Sequence, residues 1–477
     1  MPHTPSKFIP AMSGIVLAVL CVAGCRSADS KAQRAYADYE AAIAANDLPS
    51  ARKALLTLVN VQDDVADNWV ELGKLQTSLG AYGDAQYAFT RAYELNRRDP
   101  DILRAVTQLN LRGGDFATAQ IHARELELLS PSDPWIKLVD GYVALSESRW
   151  DQALVISNSM LATSPFDSNG KVLKARALIG QGKFDDALSL LVNQVAAQPK
   201  DVGALQLIEK IYEQRSDWPK VADAARRLSQ LDPGKRDISL LLISASLRAG
   251  LAGQAREVSL KLLKPAADAS LITSVLDIWA DYWPSPQRVT DARALGAVSQ
   301  NREARLAYAA FLNRVNDPAS AIALVGTSAT LPVTAENVQA NAVLADAFSR
   351  NGRLADASRL FDAVLSYDSG NAVALRGRSE LRLRTGRAKD AVPDAQKLVS
   401  VLMNSARDRL LLARCYAAAG NSIQSEKALW DGFHDIPASE ALFAALRARS
   451  QGNAEAVASL SEEYRQQRSA ELYRGFL

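Results

Sequence analysis

Cysteines, histidines and two glycine-rich stretches are the parts of this 477-residue sequence whose residue types could do chemistry. Cys415 lies in the apolar stretch from Leu410 to Ala419, where a thiol packs as a small hydrophobe rather than ionising into a nucleophile. His122 and His434 are far apart along the chain, so they assemble neither a metal cluster nor a catalytic triad, and each is expected as a solvated surface residue. Gly180-Gln181-Gly182-Lys183 approaches a phosphate-binding loop. Ala177 stands where the earlier glycine is needed, however, and Phe184 where Ser or Thr must meet the metal. Gly326-Thr327-Ser328-Ala329-Thr330 is one residue short of a nucleophile elbow and follows no clear strand. Carboxylates are plentiful, but no pair stands out. The chain therefore reads as non-enzymatic, with no metal, cofactor or small-molecule substrate expected.

The elements that would hold such residues follow one period. Steps of 34 from Gly182 land on Asn46, Gly80, Gly114, Ser148, Ser216 and Gly250, all small or turn-tolerant. The same step from Phe184 gives Leu48, Tyr82, Phe116, Trp150 and Trp218, and from Ala187 it gives Ala51, Ala85, Ala119, Ala153, Val221 and Ala255. Pro131, Pro165, Pro199 and Pro233 form a further column, where proline stops the second helix of each unit. Columns in register at this spacing indicate a repeated helix-turn-helix. The Ala- and Leu-rich composition agrees, and a formal charge of +2 gives no global argument for nucleic-acid binding.

One unit carries a specific resemblance. Trp69-x-x-Leu72-Gly73, then Tyr82, Ala85, Phe89 and Ala92, are similar to the tetratricopeptide repeat (TPR) pattern, with Gln76 where that family prefers Tyr. The resemblance implies an all-α TPR solenoid, a right-handed superhelix of about twelve helix-turn-helix units with the eighth and ninth degenerate. Its expected divisions are a signal peptide over 1–24, a tether over 25–31, an N-terminal array over 32–267, degenerate repeats over 268–337, a C-terminal array over 338–437 and a capping helix over 438–477. In this family the first helix of each pair lines a concave groove. Counting from Trp69, the groove positions are Lys74, Gln108, Tyr142, Arg176 and Lys210, with Trp135 and Leu138 joining Tyr142 in an apolar spot. Flanked by Arg176 and Lys210, that spot suits an extended acidic or C-terminal protein segment. Trp279, Tyr282 and Trp283 interrupt the pattern, and read either as a structural plug or as a contact patch or hinge. Arg376, Arg378, Arg382, Arg384 and Arg387, with Arg407, Arg409 and Arg414, crowd two units. They serve solubility, or meet anionic lipid, polysaccharide or an acidic partner.

The N-terminus has an apolar run from Ile15 to Val22 that ends in Val22-Ala23-Gly24-Cys25. It reads as a secretory signal, and its ending resembles the lipobox of bacterial lipoproteins. That resemblance implies lipidation of Cys25 and anchoring to a membrane by more than one acyl chain. Arg26 in place of Asp implies the outer membrane, facing the periplasm. Cys21 would be lost with the signal, which leaves no intrachain disulfide. The implied function is a protein-interaction scaffold of an envelope complex. Its length and two-part array most resemble the group associated with exopolysaccharide synthesis or export. Alternatives are an assembly factor for pili, secretins or outer-membrane proteins, and an adaptor that recruits a peptidoglycan enzyme.

Overall fold

Helix length in the regular part of the chain alternates between 13 and 14 residues, from Ala66–Ser78 and Tyr82–Leu95 through to Val202–Gln214 and Trp218–Leu231. The computed structural model describes the backbone of residues 14–264 and 267–474, and side chains from 29 to 468 apart from 265, 266 and 327. The described residues form twenty-six α-helices and one 3-10 turn, with no strand, so the fold is an all-α helical-repeat solenoid. Among them no helix is long and apolar enough to cross a membrane. The side chain of Cys25 and the start of the expected signal peptide lie outside the described residues.

The 34-residue column of turn residues has a backbone cause. Asn46, Gly80, Gly114, Ser148, Gly182, Ser216 and Gly250 all have positive φ, between 56° and 76°. In that conformation the chain can fold back on the helix it has just left. The Ala81 amide donates to the Gln76 carbonyl at 2.9 Å and the Gly80 amide to Thr77 at 3.0 Å, which satisfies carbonyls that a helix end would otherwise leave open. A fifth column went unread in the sequence. Asp99, Asp133, Asp167 and Asp201 each accept main-chain N–H groups at the start of the next helix, the stabilising geometry for an N-cap.

The chain divides into two compact units, residues 1–190 and 191–476. The first unit opens with the helix Gly14–Ala44, which runs through the span expected as a tether, and pairs it with Leu48–Val61. Regular pairs follow. Ala51, Ala85, Ala119, Ala153 and Ala187 are fully buried, because their helices cross where only a methyl group fits. Gly73 marks a closer approach still: a Cβ there would lie 2.6 Å from Cε2 of Phe89.

The second unit continues the regular pairs as far as Arg236–Arg248 and Ala252–Leu262. In the expected degenerate stretch, Ala269–Tyr282 packs mainly on Arg302–Arg314 rather than on its successor Pro286–Val298. One apolar cluster from Ile243 to Ala347 runs through this stretch, so it is continuous with the second unit rather than a boundary. Regular pairs resume from Val338–Arg350 to Ser422–Asp435.

The expected single capping helix is two helices, Glu440–Arg449 and Ala454–Arg474. Gly452, at φ +101°, breaks it, and Asn453 caps the second piece by accepting from the Ala456 amide at 3.0 Å. Nor is its polar face wholly solvated. Tyr464 stacks on Phe443 with centroids 4.2 Å apart, and Arg468 donates to Ser216 Oγ at 3.2 Å and to the Glu213 carbonyl. The last helix thus packs against Val202–Gln214, far earlier in the same unit.

Candidate interaction surfaces

The residues considered for catalysis stay apart or inert. Cys415 is fully buried, and burial pushes its thiol up to about 11, well above the range of a reactive cysteine. His434 is exposed and stacks on Trp430, with Nε2 3.1 Å from Glu463. His122 is not the solvated residue expected: its ring lies edge-on to Tyr93, with centroids 4.7 Å apart, and burial holds its pKa down. Among the described residues no group of three or more His, Cys, Asp and Glu is placed to hold a metal.

In the first unit, Lys74 and Gln108 are exposed, and Lys74 pairs with Glu71 at 2.8 Å. Tyr142 is half-buried with the Arg176 guanidinium 5.0 Å from its ring centroid, an apolar face with a cation over it. Trp135 is half-buried and packs against three separate parts of the core. Leu138, expected in the same apolar spot, is 4% exposed and belongs to the core. It sits four residues before Tyr142 on the same side of the helix, as the buried floor against which Tyr142 and Trp135 pack.

Lys210 belongs to the second unit. Its Nζ lies 2.8 Å from Glu213 and 3.9 Å from Glu209. Burial opposes its charge, but Glu209 and Glu213 outweigh it and raise its pKa. Glu209 is itself buried, with Oε1 lacking a hydrogen-bond partner. Burial raises its pKa to about 7 against the pull of Lys210.

The tryptophan-rich junction separates into two roles. Trp279 is 0% exposed, its indole N–H donates to Ser259 Oγ at 3.0 Å, and its ring meets Trp283 edge-on with centroids 5.0 Å apart. Trp283 is also buried. These two are core, filling the space left where the helix pair is irregular, and they offer no contact patch. Only Tyr282 is exposed. Arg248 lies 4.9 Å from its ring and 3.4 Å from that of Trp218, and also pairs with Glu440 at 2.5 Å.

The arginine-rich units are largely neutralised by ion pairs within each helix pair and, at Arg376, between successive ones. Arg376 bonds both oxygens of Asp408, at 2.6 and 2.7 Å. Arg378 does the same to Asp394, at 2.8 and 2.7 Å, and Arg382 joins it there at 2.6 Å. Arg409 reaches Asp435 at 2.5 Å. Arg407 differs: its nearest carboxylate, Glu380, is 3.8 Å away, and burial, then Arg376 and Arg314, push its pKa down. Sequence reasoning missed Arg248 and Arg468, whose partners Glu440 and Glu213 are remote in sequence, and Arg314, which bonds Asp277 and Asp281 outside the 34-residue columns.

Comparison with known proteins fits this architecture. Residues 137–272 match the family model described as the N-terminal TPR repeats region of Psidin. The chain is 30% identical over 318 residues to a cellulose synthase operon protein C of Xanthomonas axonopodis pv. citri, which covers 60% of this chain and 20% of that protein. It is 33% identical over 110 residues to the cytochrome c-type biogenesis protein CycH of Pseudomonas aeruginosa, covering 22% of this chain and 27% of that one. The matches thus span well under half the length of either curated relative. A solved tetratricopeptide repeat protein from Parabacteroides merdae superposes with a TM-score of 0.36 at 13% identity, over 57% of this chain and 100% of that one. The chain is an all-α helical-repeat solenoid, and its residues 137–272 are similar to a tetratricopeptide-repeat region.

Proposed function

We propose that the chain is a non-enzymatic protein-interaction scaffold, anchored to the bacterial envelope by lipid on Cys25 and facing the periplasm from the outer membrane. In this reading it serves a machine for exopolysaccharide synthesis or export. The carrying observation is the similarity to the relative named for a cellulose synthase operon, which matches over more of this chain than the other curated relative. Repeated helix pairs with exposed, chemically mixed faces support protein binding, since such arrays present long surfaces. Polysaccharide enters only through that relative. The relative named for cytochrome c-type biogenesis favours a second reading, an assembly factor for another envelope complex.

Crosslinking in intact cells, followed by identification of copurifying chains, separates the two. Recovery of a polysaccharide synthase or export porin supports the first reading. Recovery of a cytochrome-assembly, pilus or outer-membrane insertion component in its place supports the second and removes the first. The anchor is tested separately with Cys25→Ser, which is expected to abolish labelling by radioactive palmitate and release the protein from membranes. Unchanged labelling and membrane retention would remove the lipid anchor from the proposal.

A further inference from the structure

The second unit carries three adjoining open hollows of about 1340, 1150 and 860 Å3. The first and third share Tyr282, Glu440 and Ala444, and the second and third share Arg314, Arg376 and Arg407, so together they form one continuous cleft. Ten Lys and Arg side chains line it against seven Asp and Glu. That surplus is concentrated here on a chain whose formal net charge is only +2.

Among the lining arginines without a close carboxylate partner are Arg407, Arg414 and Arg447. Arg407 stands 3.8 Å from Glu380, which already accepts from Arg350 at 2.7 Å. Arg414 and Arg447 make no ion pair among the described residues. Arg407 and Arg414 are seven residues apart on Ala406–Ala418, hence on one face of that helix. Arg447 is on Glu440–Arg449, which packs against it. Between them the cleft is lined by small and aliphatic side chains, among them Ala406, Leu410 and Ala444. Its aromatic faces are taken: Arg248 covers Trp218 and Tyr282, and Phe443 stacks on Tyr464. A sugar ring, which binds by laying its C–H face on an aromatic ring, would compete with these contacts. A polypeptide needs no aromatic platform.

We infer that this cleft binds an extended acidic segment of a partner protein. Its carboxylates meet Arg407, Arg414 and Arg447, and its small apolar side chains lie on Ala406, Leu410 and Ala444. The inference rests on the scaffold reading and supplies its partner chemistry. Guanidinium–carboxylate contacts give it the strength and geometric preference of charge-assisted hydrogen bonds.

The test is fluorescence anisotropy on the purified full chain with labelled poly-glutamate, poly-glutamine of equal length, and polygalacturonate. Poly-glutamate is expected to bind saturably and to weaken as salt rises, with poly-glutamine at least about tenfold weaker. Arg414→Ala with Arg447→Ala is expected to weaken poly-glutamate by about tenfold, while Arg359→Ala on an exposed helix face leaves it unchanged. Both removed arginines are exposed and unpaired, and matched circular dichroism melts check that the variant folds. Equal binding of the two peptides, or an unaffected double variant, overturns the inference. So does tighter binding of polygalacturonate, which would assign the cleft to a polysaccharide. If peptide binding fails while crosslinked protein partners persist in cells, this inference falls alone; if the partners are also lost, the scaffold reading falls with it.

Discussion

The Arg468 guanidinium donates to the main-chain carbonyl of Glu213, closing a contact between residues 255 positions apart within the second unit. The partner is a backbone oxygen at the end of Val202–Gln214, where helix carbonyls lack intrahelical donors. A cation there is favoured by the helix dipole as well as by the hydrogen bond. Arg468→Ala should therefore loosen the docked last helix, at a cost of about 1–2 kcal/mol. Hydrogen exchange should rise in residues 454–468 and 202–216 together. Exchange confined to the C-terminal helix would show that the contact does not tie the two elements.

Glu209 gives the second unit a pH dependence. Its folded pKa of about 7 exceeds the model-peptide value of 4.5, so the folded state holds this proton where the unfolded state has lost it. The stabilisation tied to that proton is fully present below pH 4.5 and is lost as pH rises through about 7. Glu209→Gln keeps a neutral side chain at every pH. It should raise stability at pH 8 by roughly 2–3 kcal/mol relative to wild type and change little at pH 4.5. Thermal melts at the two pH values check this. A gain of equal size at both would mean that the buried carboxylate's ionisation is not the cause.

In the first unit, Gly73 and Phe89 form a size-matched pair. Gly73→Ala drives a methyl group to 2.6 Å from the Phe89 ring, and should cost about 1–3 kcal/mol. Gly80→Ala has nothing within 4 Å of the new methyl, so its cost comes only from φ +72° and should be about 1 kcal/mol. Phe89→Leu added to Gly73→Ala should recover part of the first loss and none of the second. Denaturant melts of the three variants distinguish crowding from backbone strain.

Legibility in the sequence followed distance along the chain. Turn glycines and crossing alanines recur every 34 residues, because each sits in the same local geometry, and one column explains all its members. The aspartate N-caps at 99, 133, 167 and 201 obey the same rule and were there to be read. Trp279 and Trp283 left two readings open, since a bulky aromatic outside the pattern reads alike as plug or patch. What decides is the weak packing of Ala269–Tyr282 on its own successor, which leaves room for an indole in the core. The cleft around Arg407 was legible only in part, as the arginine-rich stretch that holds Arg376, Arg407 and Arg414. Its lining comes from helices spread between residues 202 and 468, and no fixed spacing links an arginine on one repeat to the carboxylate it lacks.

Arg376 and Asp408 put that last point to a test. They sit on first helices of successive repeats, and Asp408 is 0% exposed with Arg376 on both its oxygens. Removing the arginine strands a charge in the core, whereas removing both partners strands nothing. Arg376→Ala should therefore cost about 3–5 kcal/mol, and Arg376→Lys, which cannot reproduce the two parallel bonds, a large part of it. Arg376→Leu with Asp408→Leu should be far milder than either single change, because a buried pair contributes little over well-packed hydrophobes. Chemical denaturation of the double variant beside Arg376→Leu and Asp408→Leu alone gives the coupling energy directly. If the double variant were as damaged as Arg376→Ala, the pair would be holding the two repeats in register rather than merely neutralising a buried charge.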